Sequence, residues 1–330
     1  MKTDTSQVLQ KVEEPERNEP VDISVIVPVV ERYDDLEMLY LSYAEEIEKL
    51  TENYEFIFVI DGHMESAYKS VKRFSRHNPK IRVIKFMRPL GESAALATGC
   101  ERASGTYIFT LSSYFQVEPD GITEMYRLLI NDECDIVITR RDREKDSFFN
   151  RVQSFVFHKI LRILTGANYR DISCGLRGMR REMVGVFDIY GDLHRFIPVL
   201  AEHRGLRIKE VVVKQRKEDT KTRFYGLRTY LHRIIDLMNL FFLLRFTFKP
   251  LRFFGIIGSM LTILGSAIIL YLIYRRLFTE GFGLSDKPSL FVASILIVIG
   301  IQIFAIGLVG EIIIYTRSRR SKPLKLKKPE

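Results

Sequence analysis

The hydrophobic positions of this chain fall into two kinds of run. Up to about residue 214 they come as short apolar stretches separated by amphipathic ones, and beyond residue 250 as two long uncharged blocks. Ile23 to Val30 (ISVIVPVV) is continuous and β-branched, the mark of a parallel strand buried on both faces. Asp34 to Leu50 has helical periodicity. There follow a strand over Phe56 to Gly62, a helix to about Asn78, a strand over Ile81 to Phe86 and a helix over Gly91 to Ala103. A strand over Tyr107 to Leu111, a helix over Gly121 to Asn131 and a strand over Cys134 to Arg140 continue the pattern. Such alternation predicts an open, doubly wound α/β sheet. Ligands of these sheets bind beyond the carboxyl ends of the strands, which directs attention to Pro28–Arg32, Asp61–Glu65, Arg88–Glu92 and Ser112–Gln116.

Further on, residues 147–164 read as a helix with an aromatic face, taken as core, and Leu206 to Lys214 as a strand. A basic stretch, Gln215 to Arg223, leads into residues 226–250, whose Arg and His positions lie on one side and Leu, Ile and Phe on the other; this predicts an amphipathic helix at a membrane interface. The uncharged blocks, 253–274 and 289–310, are each long enough to cross a hydrocarbon core about 30 Å thick. Basic residues before the first block (Arg245, Lys249, Arg252) and after the second (Arg317 to Lys328) place both termini in the cytoplasm. The division expected is therefore a disordered tail 1–20, an α/β domain 21–225, an interfacial segment 226–250, a two-helix membrane region 251–317 and a basic tail 318–330.

Composition changes this picture little. The net charge of +9 would suit a nucleic-acid partner, yet the densest basic cluster flanks a hydrophobic span, where anionic lipid is nearer. No nucleic-acid partner is expected. The first twenty residues lack an apolar core, so no cleaved signal peptide is expected. Cys100, Cys134 and Cys174 are widely spaced, without metal-ligand spacing, and read as buried, reduced thiols.

Several motifs carry more. They are the opening strand ISVIVP, Asp61–Gly62 after the second strand, GESAALATG (Gly91 to Gly99), ASGTYIFTL, DISCGLRGMRRE (Asp171 to Glu182), GDLHRFIPVLAEHRG (Gly191 to Gly205), PLRFFG before the first block and GEIII after the second. On these the chain resembles a family 2 glycosyltransferase of the polyisoprenyl-phosphate type, similar to dolichol-phosphate mannose synthases and bacterial undecaprenyl-phosphate glycosyltransferases. The resemblance implies a GT-A fold, a Rossmann-like and mainly parallel sheet. It also implies a nucleotide-sugar donor, a polyprenyl phosphate acceptor and a bacterial inner-membrane location, with a homo-oligomer as one expected form.

What the resemblance implies for single residues is uneven. Donor contacts fall on Pro28, Val30, Glu31, Asp61, Gly91, Ser112, Tyr114 and Gln116, with Asp61 reading the nucleoside. Asp171 is the catalytic candidate, a base or an acceptor-orienting carboxylate, and Arg177, Arg180, Arg216 and Arg223 are candidates for phosphate. The family's Mg²⁺ or Mn²⁺ is held by the acids of a DGDLQ stretch, which aligns with Ser112 to Gln116, so no metal ligand and no cofactor is assigned. The first acid of the second-strand pair is Ile60, the usual loop Asn is Pro89, and GxSKY falls on Lys221 to Tyr225 with only the Tyr kept. Plainer readings stand beside these: a turn former for Asp61, a helix cap for Asp171, solvated charges for Arg177 and Arg180, structural roles for His194 and Glu311, and packing for Cys174. Two functions compete: a transferase working without the usual metal site, Glu118 and Asp120 or basic residues supplying what is missing, and a degenerate paralogue serving as scaffold or partner subunit in glycan assembly.

Overall fold

The computed structural model describes residues 20–142, 169, 171–186, 196–220, 250–278 and 288–318. The helix expected over 147–164, residues 226–249 of the interfacial segment, Arg223, His194 and the two tails but for Pro20 and Ser318 lie outside the described residues. Two compact units divide the chain, residues 1–237 and 238–330.

The first unit is built on seven described strands: β1 (Ile23–Val29), β2 (Tyr54–Ile60), β3 (Ile81–Lys85), β4 (Tyr107–Thr110), β5 (Ile136–Asp142), β6 (Arg177–Arg180) and β7 (Ile208–Lys214). They lie in the order β3-β2-β1-β4-β6-β5-β7. β1 pairs in parallel with β2 and β4, β2 with β3, and β5 with β7. β6 runs antiparallel between β4 and β5, with Arg177 opposite Thr110 and Ile138, and Arg180 opposite Tyr107. This strand is absent from the sequence expectation. Its four residues, RGMR, begin and end in arginine and carry no apolar run to announce burial on two faces.

The continuous apolar strands are explained by the two layers that cover the sheet. Ile23, Val25, Val27 and Val29 of β1 join Tyr54, Phe56, Phe58 and Ile60 of β2 in one core, against α1 (Leu36–Glu48), α2 (Glu65–Ser75) and α4 (Gly121–Ile130). Ile26, Ile57, Val59 and Ile84 point the other way, toward Ala95, Leu96 and Cys100 of α3 (Glu92–Arg102) and Ala201 of α5 (Ile197–His203). Each such aromatic or branched side chain contributes roughly 1.5–3 kcal/mol by leaving water. α1 starts two residues after the periodicity does because Asp35 caps it, accepting from the N–H groups of Glu37 (3.0 Å) and Met38 (3.1 Å).

At the amino edge of the sheet charges are closed off internally. Glu55, fully buried on β2, accepts from Ser24 Oγ (2.7 Å), the N–H of Ser104 (2.7 Å) and Arg82 (3.0 Å).

The second unit holds α6 (Pro250–Phe278) and α7 (Pro288–Ser318), two helices long and apolar enough to cross a membrane. At 1.5 Å per residue each runs beyond 40 Å, roughly, more than the ~30 Å of a hydrocarbon core. Most of their large apolar side chains face outward, as a lipid-facing pair requires. They approach closely at glycines: a Cβ on Gly258 would come within 2.6 Å of the Gly300 carbonyl oxygen. Glu311 reaches across to the first turn of α6 and accepts from the N–H of Leu251 at 3.4 Å, answering one of the donors a helix start leaves open.

Candidate active site

From β1 the chain crosses to β2 and β3 on one side, then returns to β4 on the other. The carboxyl ends of β1 and β4 therefore flank the topological switch point, where open sheets leave a crevice. Residues 28–35 form one wall and residues 111–118 the other. Pro28 and Val30 are buried in the first wall and Glu31 is exposed at its rim.

The two walls are stitched together. The N–H of Asp34 donates to the Ser113 carbonyl (3.0 Å), the N–H of Phe115 donates to Asp34 Oδ2 (3.1 Å), and Ser113 Oγ donates to the Arg32 carbonyl. Arg32 is held by its backbone while its guanidinium lies over the Tyr114 ring, 4.4 Å from the centroid. Asp34 faces that guanidinium at 3.5 Å. Burial pushes the Tyr114 phenol above its ordinary range, with Asp219 adding to the effect, so it stays neutral.

Ser112 and Gln116 turn inward. Gln116 Oε1 accepts from Ser112 Oγ (3.0 Å) and the N–H of Gly175 (2.8 Å), and its Nε2 donates to the Tyr114 hydroxyl (3.2 Å). This fastens the loop 171–176 to the end of β4. The positions of the family's two metal-binding acids hold Ser112 and Tyr114, whose hydroxyls are neutral and already engaged with Gln116, and a guanidinium stands over the ring. Hard divalent cations select anionic oxygen ligands, so these residues do not fit one. Among the described residues no three His, Cys, Asp or Glu side chains are grouped to hold a metal. Glu118 is paired with Arg216 (3.0 Å) and Asp120 is exposed at the start of α4.

Asp61 is 1% exposed at the end of β2. Its Oδ1 accepts from the N–H groups of Leu90 (2.8 Å) and Gly62 (3.1 Å), its Oδ2 from that of Gly91 (3.4 Å), and His63 Nδ1 stands at 3.7 Å. The carboxylate thus anchors the loop between β3 and α3. Gly62 is required beneath it, because a Cβ there would lie 2.6 Å from the Arg88 backbone, and Gly91 turns the loop at φ +84°.

Asp171 caps no described helix. It is 3% exposed and clamped by Arg141, whose Nε donates to Oδ2 (2.7 Å) and Nη2 to Oδ1 (3.1 Å), while Ser173 donates to Oδ1 through its N–H (3.2 Å) and Oγ (2.9 Å). Arg141 also reaches Asp219 (3.2 Å) and Ser173 Oγ (2.7 Å). Burial works against the charge on Arg141, but Asp171 and Asp219 outweigh it and raise the pKa further. Burial likewise raises the Cys174 thiol, consistent with packing.

The arginines separate. Arg216 stands at the crevice, its N–H donating to the Gln116 carbonyl (3.1 Å) and its guanidinium 4.8 Å from the Phe115 ring centroid. Arg177 is buried and donates to the Ile172 carbonyl (3.0 Å). Arg180, expected beside it, lies at the opposite edge: β6 is antiparallel, so its last residue pairs with the first of β4, and Arg180 engages Asp132 and the Leu129 carbonyl. Neither is a solvated charge, and Arg180 is not brought to the site. Arg32, Asp34, Arg141 and Asp219 are not among the residues the sequence motifs point to; Arg32 falls within the segment after the first strand, and Arg141 lies at the carboxyl end of β5, where the strand-end rule also applies.

A crevice at the switch point of a mixed sheet of seven described strands, opening between β1 and β4, is the arrangement of a GT-A-like fold. Residues 24–187 match the model of Glycosyl transferase family 2. It is similar to the dodecaprenyl-phosphate galacturonate synthase of Rhizobium johnstonii, 28% identical over 320 residues covering 94% of each chain. It is also similar to the undecaprenyl-phosphate 4-deoxy-4-formamido-L-arabinose transferase of Aeromonas hydrophila, 27% identical over 292 residues and 88% of each. Among solved structures, glucosyl-3-phosphoglycerate synthase of Mycobacterium tuberculosis shares the fold, with a TM-score of 0.52 at 18% identity over 68% of this chain and 79% of that one.

Proposed function

We propose that this protein is a membrane-bound glycosyltransferase that moves a sugar from a nucleotide-sugar donor to a polyprenyl phosphate, with inversion. One observation carries the reading: the likeness to an enzyme named for such an acceptor covers 94% of the chain, more than the α/β domain alone. An oxygen of the acceptor phosphate forms a bond to the anomeric carbon as the bond to the donor diphosphate breaks, and the nucleoside diphosphate leaves with the electron pair. A phosphate acceptor is already anionic, so the step rests on positioning more than on a strong base.

The residues fit that division of labour. Asp61 shapes the loop 88–91 as the floor for the nucleoside, between Gly91 and the buried wall of Pro28 and Val30. Asp171, its oxygens engaged by Arg141 and Ser173, orients and does not abstract. Arg216 and Arg223 hold acceptor phosphate; Arg177 and Arg180 are left out, being committed to the backbone of the loop and to Asp132. The basic bias around the spans supports an inner-membrane location with both termini cytoplasmic.

The test is incubation of the detergent-purified chain with labelled candidate nucleotide sugars and polyprenyl phosphate, with and without Mg²⁺ or Mn²⁺. Labelled lipid extracted into organic solvent, only when polyprenyl phosphate is present, is the expected result. No product and no nucleotide binding across all donors would leave the scaffold reading in its place.

A further inference from the structure

The end of β4 lacks the carboxylates that would hold a divalent cation, and it has a built cation in their place. The Arg32 guanidinium lies on the Tyr114 ring, with its backbone carbonyl tied to Ser113 and Asp34 loosely opposite, and 24% of its side chain remains exposed at the crevice. Stacking occupies the face of the guanidinium and leaves its in-plane N–H edge to donate, the geometry that grips a phosphate with two parallel hydrogen bonds. A bound dication beside it would meet the like charge of Arg32 and, at the end of β4, the neutral hydroxyls of Ser112 and Tyr114, with Asp34 already facing the guanidinium, so one cation disfavours the other. Arg141, a second guanidinium near Tyr114, is committed to Asp171 and Asp219 and is not available for this role.

We propose that Arg32, seated on Tyr114, replaces the divalent cation in holding the donor diphosphate, so that nucleotide binding at the β1–β4 crevice does not depend on metal. This rests on the transferase reading and deepens it: the donor's leaving group is held by an organic cation carried on the β1–α1 loop. Ser112 and Gln116 set the platform by fixing the Tyr114 hydroxyl, and Asp34 keeps the unliganded guanidinium over the ring.

The experiment is calorimetric titration of the full chain in detergent with UDP, GDP, TDP and CDP and their monophosphates, in EDTA and then in Mn²⁺. At least one diphosphate is expected to bind with the same affinity in both. Arg32→Gln is expected to lower that affinity roughly 10- to 100-fold, the worth of a charged hydrogen-bonded contact, and to change the matched monophosphate much less. Arg32→Lys should recover part of it. As a converse, Ser112→Asp combined with Tyr114→Asp removes the platform and returns two acids, and binding should then become Mn²⁺-responsive. Wild-type affinity that rises more than about tenfold with Mn²⁺, or an Arg32→Gln protein that binds diphosphate as tightly as wild type, overturns the proposal while leaving the transferase reading intact. Absence of any nucleotide binding in the wild type overturns both.

Discussion

Two arginines at the carboxyl edge of one sheet are held in opposite ways. Arg141, at the end of β5, is 9% exposed and spends its guanidinium on Asp171, Asp219 and Ser173. Arg32, just past β1, is tied by its backbone, rests its guanidinium on a ring and meets Asp34 only at 3.5 Å. The β5–β7 half of the edge uses charge to close structure, joining three segments distant in sequence. The β1–β4 half fixes the chain around a charge and leaves the charge facing a crevice. What separates a structural arginine from a binding one is therefore the saturation of its donors, since residue type and strand-end position are shared.

The contrast should show most strongly in stability. Arg141→Ala leaves Asp171 and Asp219 without their counter-charge in a buried setting, and is expected to cost about 3–5 kcal/mol, read as a lower denaturation midpoint. Combining Arg141→Met with Asp171→Asn and Asp219→Asn should restore most of that loss. Were Arg141→Ala to unfold like wild type, the clasp would be idle.

Asp61→Asn comes next. It removes one of the acceptors that hold the N–H groups of Leu90 and Gly91, and should cost roughly 1–3 kcal/mol together with nucleotide affinity. Hydrogen exchange at Leu90 and Gly91 is the direct check, and unchanged protection there would deny Asp61 its anchoring role. Arg32→Gln should move stability by no more than about 0.5 kcal/mol, as a substitution outside the core does, even as diphosphate binding falls. A destabilisation like that of Arg141→Ala would erase the distinction between the two arginines. The smallest effect expected is with thiol reagents: burial pushes Cys100 up to about 12 and raises Cys134 and Cys174, so at pH 8 the thiolates are missing and the folded domain should not be alkylated.

The parallel strands were legible because they are buried on both faces, which forces uninterrupted apolar runs such as ISVIVPV and YEFIFVI. Helix starts were legible only to within a turn, since Asp35 rather than periodicity decides where α1 begins. β6 was not legible, because RGMR is held by ladders to β4 and β5, by Arg177 reaching the nearby Ile172 carbonyl and by Arg180 reaching the distant Leu129 carbonyl, none of which its four residues announce. For the site, Asp61, Ser112, Tyr114 and Gln116 could be found from strand ends and the family pattern. The Arg141–Asp171–Asp219 clasp could not: its members are 30 and 78 residues apart, and nothing local to any of them specifies the other two. Arg180 misled for the same reason, since its chain neighbour Arg177 suggests a shared site until the antiparallel direction of β6 carries it to the far edge.

That the β1–β4 crevice is the donor site of a working transferase is tested most directly by initial rates of sugar transfer to polyprenyl phosphate in EDTA, wild type against Arg32→Gln. Turnover by the wild type without metal, falling at least about tenfold in the variant while its folding stability is kept, is the predicted result. No lipid-linked product from any nucleotide sugar, with or without Mn²⁺, would contradict it.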